Sequence, residues 1–281
     1  MSSIEELKGQ LAVVTGAASG LGRGLCSKLG EQGARLVVAD VEQKALDSLA
    51  ADLRSKGVEV TTVLTDVSKR DEVDRLAAIA ADIGPVDLLF NNAGVSEAPQ
   101  PSSGLTEDDW AWVLGVNLMG IVHGTSAFLP AMIERNQGTI VNTASNSALG
   151  SVGFVAAYTA SKHAIVGFSE SVQYELWQRE SAVKIVVSLP GAMSTRMADS
   201  ARNRPAEAEG RKPSEAELAI MTAHISHGIS GEQAAEIVLA GVSRGDFYVV
   251  THPEDLDTAT RRYEGLMTGR LAPPVAPIAT E

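Results

Sequence analysis

One cysteine, Cys26, is all that 281 residues contain, which excludes an intramolecular disulfide and a thiolate metal cluster and suits a reducing compartment. Basic residues are also scarce: 23 Lys and Arg stand against 35 Asp and Glu, and the net charge of -12 repels phosphate backbones and anionic membrane surfaces. Neither nucleic acid nor a membrane is therefore an expected partner. The opening stretch "MSSIEELKGQ" lacks the apolar core of an export signal, so a cytoplasmic location is expected. No repeat and no low-complexity block divides the chain, whose length suits one large domain spanning 1–281 with a full α/β core.

Charge is missing locally as well. The segment Trp110 to Ile133, "WAWVLGVNLMGIVHGTSAFLPAMI", has no Asp, Glu, Lys or Arg. It holds Asn117, His123 and Pro130 and is the one such candidate, so burial inside protein explains it better than lipid. A second uncharged run extends from Arg135 to Lys162, and that lysine follows Tyr158 by four residues.

What is present is a regular alternation of two periodicities. "QLAVVT" (10–15) reads as a buried strand ending in glycines, residues 22–32 as a helix, and "GARLVVAD" as a strand closing at Asp40. Helices over 42–56, 69–83, 106–135 and 155–179 then alternate with the strands "VEVTTVL", "VDLLFNN", "GTIVNTA" and "VKIVVSL". Helix 231–243 and the strand "DFYVV" close the series. Such alternation predicts a Rossmann-type, doubly wound parallel sheet covered on both faces. After Pro190 the pattern weakens, and 192–230 reads as a partly helical lid. Three prolines within 271–281 predict a loosely ordered tail.

"TGAASGLG" places Gly16, Gly20 and Gly22 between a predicted strand and a predicted helix, where tight turns and unpaired N–H groups suit a pyrophosphate. Asp40 closes the next strand 18 residues beyond Gly22. A carboxylate there accepts hydrogen bonds from ribose hydroxyls and repels a 2′-phosphate, so NAD is favoured over NADP. Asp40 could also cap the following helix, a compatible role, and Arg23 reads as a packing or surface-pair residue.

Tyr158 and Lys162 share a face if their helix is real. With 4 Tyr and 8 Lys in 281 positions, chance supplies about 0.1 such pairs, so the spacing needs company. It has company in Asn117 and in Ser145, which precedes Tyr158 by 13 residues. A cation on the same face would stabilise a phenolate, and a nearby hydroxyl could bind the reacting oxygen.

With these segments in order, residues 8–250 resemble the classical short-chain dehydrogenase/reductase family. "TGAASGLG" is similar to its cofactor loop, "NNAG" (91–94) to its fourth-strand signature, "YTASK" to its catalytic pair and "PGAMST" to its Pro-Gly segment. The resemblance implies Tyr158 as acid/base, Lys162 as ligand of the nicotinamide ribose, Ser145 as substrate-orienting hydroxyl and Asn117 as holder of a relay water. It implies a cofactor site of Gly16, Ser19, Gly20, Leu21, Gly22, Asp40, Asp66, Val67, Asn92, Ala93, Gly94, Tyr158, Lys162, Pro190, Gly191 and Thr195. Ser147 rivals Ser145, and the spacing to Tyr158 favours Ser145. The two long uncharged helices would pack against those of a neighbour in a homodimer or homotetramer.

The expected reaction interconverts a secondary alcohol and its ketone with NAD. Its rival is a silent NAD-binding regulator or scaffold of the same fold, and all four catalytic positions being filled weighs against it. An epimerase or dehydratase of the extended branch would need another glycine spacing and a larger C-terminal domain. Substrate contacts are expected from Ser147, Phe154, Met193 and Met197, with Val95, Leu149, Val152 and Gly153 nearby, and the scarcity of charge points to a hydrophobic compound, aromatic and benzylic ones included. The stretch from His224 to Glu254 is similar to family members that oxidise benzylic alcohols of lignin-derived aryl ethers. His224 and His227 are three apart without an acidic or histidine partner in view, so no metal is expected.

Overall fold

The computed structural model describes residues 7–215, 217–219, 222 and 227–271. Its centre is a seven-stranded sheet of order β3-β2-β1-β4-β5-β6-β7, parallel throughout. The strands are β1 (Leu11–Thr15), β2 (Arg35–Asp40), β3 (Val60–Leu64), β4 (Val86–Asn91), β5 (Thr139–Thr143), β6 (Lys184–Leu189) and β7 (Tyr248–Val250). Between them run α1 (Gly20–Glu31), α2 (Gln43–Ser55), α3 (Arg70–Ile83), α4 (Glu107–Leu114), α5 (Gly120–Arg135), α6 (Ala156–Gln178) and α7 (Gly231–Arg244). A further helix, α8 (Leu256–Thr268), follows β7.

Strand β1 shows why its sequence is apolar without alternation. Ala12 and Val14 join the core beneath α1, α2 and α7, whereas Leu11 and Val13 join the core beneath α3, α5 and α6. Both faces are covered, so every residue of the strand is buried. The chain leaves β1 toward β2 and β3 and returns to β4 on the other side, which opens a crevice at the carboxyl ends of β1 and β4.

The expected helix over 106–135 is in fact two helices joined by a single π-turn, Gly115–Met119, with Asn117 fully buried in it. A π-turn inserts one residue into the helical ladder and rotates the succeeding helix, a local irregularity that hydrophobic periodicity does not report. The run Glu107–Arg135 is long and apolar enough to cross a membrane, and half of its most apolar window is buried. Helix α5 packs on β4 and α3.

After β6 the chain is less regular. Met193 bridges Ile229, and Met197–Asn203 forms 3-10 turns. His224 and residues 272–281 lie outside the described residues, so the lid is seen in part and the expected tail is not.

Candidate active site

The glycine loop is a cradle closed by backbone. Gly16 and Gly20 have φ of 61° and 50°, the left-handed region that glycine tolerates. A Cβ on Gly22 would lie 2.1 Å from Gly16 O, and one on Gly20 would lie 2.9 Å from Thr195 Cγ2. Asn92 Nδ2 donates to Thr15 O at 2.9 Å and to Gly16 O at 3.2 Å, pinning β1 to the end of β4. The head of α1 therefore stays open to an approaching anion, and its N-cap, Ser19, makes no side-chain capping bond.

Asp40 closes β2 beside this loop. Its Oδ2 accepts the Ala18 N–H at 2.9 Å and its Oδ1 the Glu42 N–H at 3.0 Å. Burial raises its pKa, with these amides opposing the rise. Asp66 Oδ1 accepts from Ser68 N and Ser68 Oγ at 3.0 and 2.7 Å, and Asp66 and Val67 wall the same side.

At the other end, α6 places Tyr158 and Lys162 one turn apart, and the lysine Nζ lies 5.4 Å from the phenol ring centroid. Lys162 is 2% exposed and donates to Thr143 O at 3.0 Å. Burial drives its amine down to about 7. The phenol of Tyr158 is pushed above its ordinary value, first by burial and then by the charge of Glu97, while a hydrogen bond with Ser145 draws it down. The expected lowering by Lys162 is not what the protein shows: burial penalises both charges, and the cation is spent on a strand carbonyl.

Ser145 Oγ lies 3.1 Å from Asn146 Oδ1 and 3.3 Å from Ser147 Oγ. Asn146 Nδ2 donates to Asp255 Oδ2 at 3.0 Å, which turns the amide oxygen toward Ser145. Both serines border the cleft, and Ser145 is the one that bears on the phenol, drawing its pKa down. Asn117 is engaged at both ends of its side chain: Oδ1 accepts from Val95 N at 2.8 Å, while Nδ2 donates to Val95 O at 2.9 Å and Ser161 Oγ at 3.0 Å. It holds the loop after β4 to α6 from behind the cleft.

One cleft joins these parts. It is bordered by Gly16, Ser19, Gly20, Leu21, Asp40, Asp66, Val67, Asn92, Ala93 and Gly94 at one end, and by Ser145, Ser147, Tyr158, Lys162, Pro190, Gly191, Met193, Thr195 and Met197 at the other. Gly22 supports the loop from beneath, and Asn117 lies behind the wall. Phe154 is a correction: its left-handed backbone (φ 65°) and the Gln100 N–H bonded to its carbonyl leave it 37% exposed and off the cleft. Leu149 and Gly153 also lie off it, whereas Val95 and Val152 line it.

Sequence reasoning missed Trp112 and Val116, which add an apolar wall, and Arg196, Arg202 and Asn203 of the lid. Arg202 donates to Glu42 Oε1 from Nε and a terminal nitrogen at 2.9 and 2.7 Å, and Arg196 reaches Glu42 Oε2 at 3.2 Å. Buried Arg204 pairs with Asp109 at 2.5 Å and lies 5.2 Å from the Trp112 ring centroid. The only signal available for these was the cluster of arginines within 196–211, which has no periodicity to place it. Arg23, read as a surface-pair residue, pairs with Asp52. Among the described residues no group of three or more His, Cys, Asp or Glu could hold a metal ion.

Comparison with known proteins points the same way. A family model described as short chain dehydrogenase matches residues 10–206. The chain is 28% identical over 268 residues to a C alpha-dehydrogenase of Sphingobium sp. strain SYK-6, covering 94% of this chain and 87% of that protein. A short chain dehydrogenase/reductase from Burkholderia phymatum, crystallised in complex with NAD, superposes with a TM-score of 0.90 at 36% identity, covering 98% of this chain and 99% of the other. A metagenomic short-chain oxidoreductase in complex with NADP gives a TM-score of 0.67 at 29% identity, covering 83% and 91%.

Proposed function

The chain belongs to the short chain dehydrogenase family, a family of oxidoreductases that use a nicotinamide cofactor, and on that premise we propose that it interconverts a hydrophobic secondary alcohol and its ketone with NAD. The observation that carries this reading is the continuity of the cleft from the glycine cradle to the Ser145, Tyr158 and Lys162 side chains.

The cradle fits a dinucleotide, because left-handed turns at Gly16 and Gly20 bring the cleft-lining loop to the head of α1, whose first amides suit a pyrophosphate. Gly16, Ser19, Gly20 and Leu21 would hold the pyrophosphate, with Gly22 beneath them. Asp40 would hold the adenosine ribose, Asp66 and Val67 the adenine, and Asn92 to Gly94 the floor. Pro190, Gly191 and Thr195 would hold the nicotinamide, and Lys162 its ribose. When bound, the nicotinamide supplies or accepts the hydride.

The chain's own part is to handle the proton and orient the oxygen. Tyr158, with its pKa raised, is protonated at neutral pH and can donate directly to a carbonyl oxygen. Oxidation needs the phenolate, so alcohol oxidation should speed up as pH rises. Ser145, whose single O–H points to Asn146 Oδ1 in the unliganded chain, would turn that O–H to the same substrate oxygen. Lys162, with its amine near 7, is only partly charged at neutral pH before a ligand arrives.

Val95, Trp112, Val116, Val152, Met193 and Met197 offer apolar surface around that oxygen, and the lid arginines that also border the cleft, Arg196 and Arg202, are paired with Glu42. This supports a neutral, hydrophobic substrate, and likeness to the C alpha-dehydrogenase supports an aromatic or benzylic one. The carboxylate of Asp40 at the end of β2 supports NAD over NADP, because its charge repels a 2′-phosphate. A homodimer or homotetramer is supported by exposed Tyr174 and Trp177 on α6, beside a groove between α5 and α6 whose lining is Leu129, Ile133, Val172 and Leu176 together with the charged Glu175 and Arg179. A cytoplasmic location accords with the single cysteine.

A panel of secondary alcohols, from neutral aromatic and alicyclic to charged, assayed separately with NAD and NADP, tests the reading. Fastest turnover is expected for neutral ring-bearing alcohols with NAD. A preference for phosphorylated or carboxylated alcohols, or for NADP, would refute the assignment of substrate class or cofactor.

A further inference from the structure

Helix α6 carries the proton-exchanging pair but has no cap of its own. Val155, at its N-cap position, makes no side-chain capping bond, and the first turn contains no acidic residue. The acceptor comes from 60 residues earlier, in the loop after β4. Glu97 Oε1 accepts the Ala157 N–H at 2.8 Å, and the Tyr158 N–H lies 3.2 Å from Oε1 and 3.1 Å from Oε2.

A carboxylate this deeply placed is costly unless its lone pairs are filled. Glu97 is 1% exposed, and among the described residues its carboxylate is bonded by main-chain amides and not by a cation. The helix head meets part of the cost with unpaired N–H groups and the positive end of its dipole. Two residues before Glu97, Val95 is clamped by Asn117 through both its N–H and its carbonyl. The loop is thus fixed to the π-turn at one point and to the head of α6 at the next, and its preceding residues, Ala93 and Gly94, wall the cleft.

We infer that Glu97 is a positioning residue for the proton-exchanging phenol: by binding the two amides at the head of α6 it sets where Tyr158 and Lys162 stand against the Asn92–Gly94 wall. This rests on the oxidoreductase reading above. Glu97 also acts on Tyr158 through its charge. The phenol is faced by Lys162 on its own helix, by Ser145 from the loop after β5 and by Glu97 from the loop after β4. Asp109 of α4 is the charge that bears on Glu97, and Arg204 of the lid pairs with Asp109. Burial raises the Glu97 pKa and the amide bonds oppose it; burial is the main cause that raises the phenol, and the charge of ionised Glu97 adds to it.

The test reads the phenol directly. The ultraviolet titration of Tyr158, taken as the difference between a protein and its Y158F counterpart, requires no substrate and is compared between the native chain and E97Q. The E97Q side chain keeps one oxygen for the helix amides and loses the charge, so Tyr158 should titrate at lower pH, and the acid limb of kcat/KM for alcohol oxidation should move the same way. E97A loses the cap as well, and its kcat should fall about 10- to 100-fold, with NADH affinity weakened because Lys162 moves with the helix head. An unmoved Tyr158 titration in E97Q, or an E97A enzyme with native kcat, would overturn the inference. If the native protein turns over no alcohol, the oxidoreductase reading fails while the phenol titration still decides the role of Glu97.

Discussion

At the glycine-loop end of the cleft, the wall is backbone against backbone: a methyl group on Gly22 would meet the Gly16 carbonyl at 2.1 Å, and Asn92 stitches β1 to β4 across neighbouring strands. At the catalytic end, side chains tie together segments that are distant in the chain. Glu97 reaches α6, Asp255 holds Asn146, and Arg204 of the lid reaches Asp109. The first end is a rigid receptacle whose requirements are steric. The second is an assembly whose precision depends on single hydrogen bonds and charges, which is where specificity can change without disturbing the sheet.

Four substitutions probe this contrast. Y158F removes the proton-exchanging group and nothing from the cradle, so turnover should fall about 10²- to 10⁴-fold while NADH binding, followed by fluorescence, stays near native. A variant with near-native rate would show that the catalytic end is not organised around the phenol.

R204M breaks a buried pair on the catalytic side, where the side chains of Arg204 and Asp109 are 3% and 1% exposed. Leaving Asp109 without its cation should cost about 3 kcal/mol in urea unfolding. The same pair predicts a pH dependence. Burial raises the Asp109 pKa, but the Thr106 amide and Arg204 outweigh it, so the folded value lies below the ordinary 3.8. A depressed carboxylate stabilises the fold fully above its unfolded pKa, and that contribution disappears as pH falls through the folded pKa. R204M should therefore lose less stability than the native chain between pH 5 and pH 3, a range given as roughly one unit either side of the ordinary value.

G22A tests the steric end. The added methyl must displace backbone, at a cost of about 1–3 kcal/mol, and NADH binding should weaken along with stability. An unchanged affinity would mean the cradle is more compliant than its packing implies. The smallest effect is expected from D40S: fold and turnover are kept, and the ratio of NADP to NAD affinity rises because the carboxylate beside the ribose site is gone. An unchanged ratio would remove Asp40 from the cofactor preference.

The same contrast explains what could be read in the sequence. Strand β1, the glycines after it and Asp40 form a local pattern of apolar run, turn and acidic strand end, so the cofactor end was legible within 30 residues. The Tyr158–Lys162 spacing was legible because one helix carries both. Glu97 was not, because a lone acidic residue in a loop looks like any solvated one, and only the fold shows that α6 begins without a cap. The π-turn at Asn117 was invisible for a related reason: one inserted residue leaves the hydrophobic pattern nearly intact. Phe154 was misassigned because an aromatic residue between Ser145 and Tyr158 looks like pocket wall until its left-handed backbone is seen.

The most direct test measures NADH binding and NADH formation on the same purified protein, binding by fluorescence and formation with a neutral ring-bearing secondary alcohol plus NAD. The account predicts both: binding, and turnover that Y158F abolishes while binding persists. Firm NADH binding with no turnover of any secondary alcohol would contradict it and leave the chain a nucleotide-binding regulator built on the same fold.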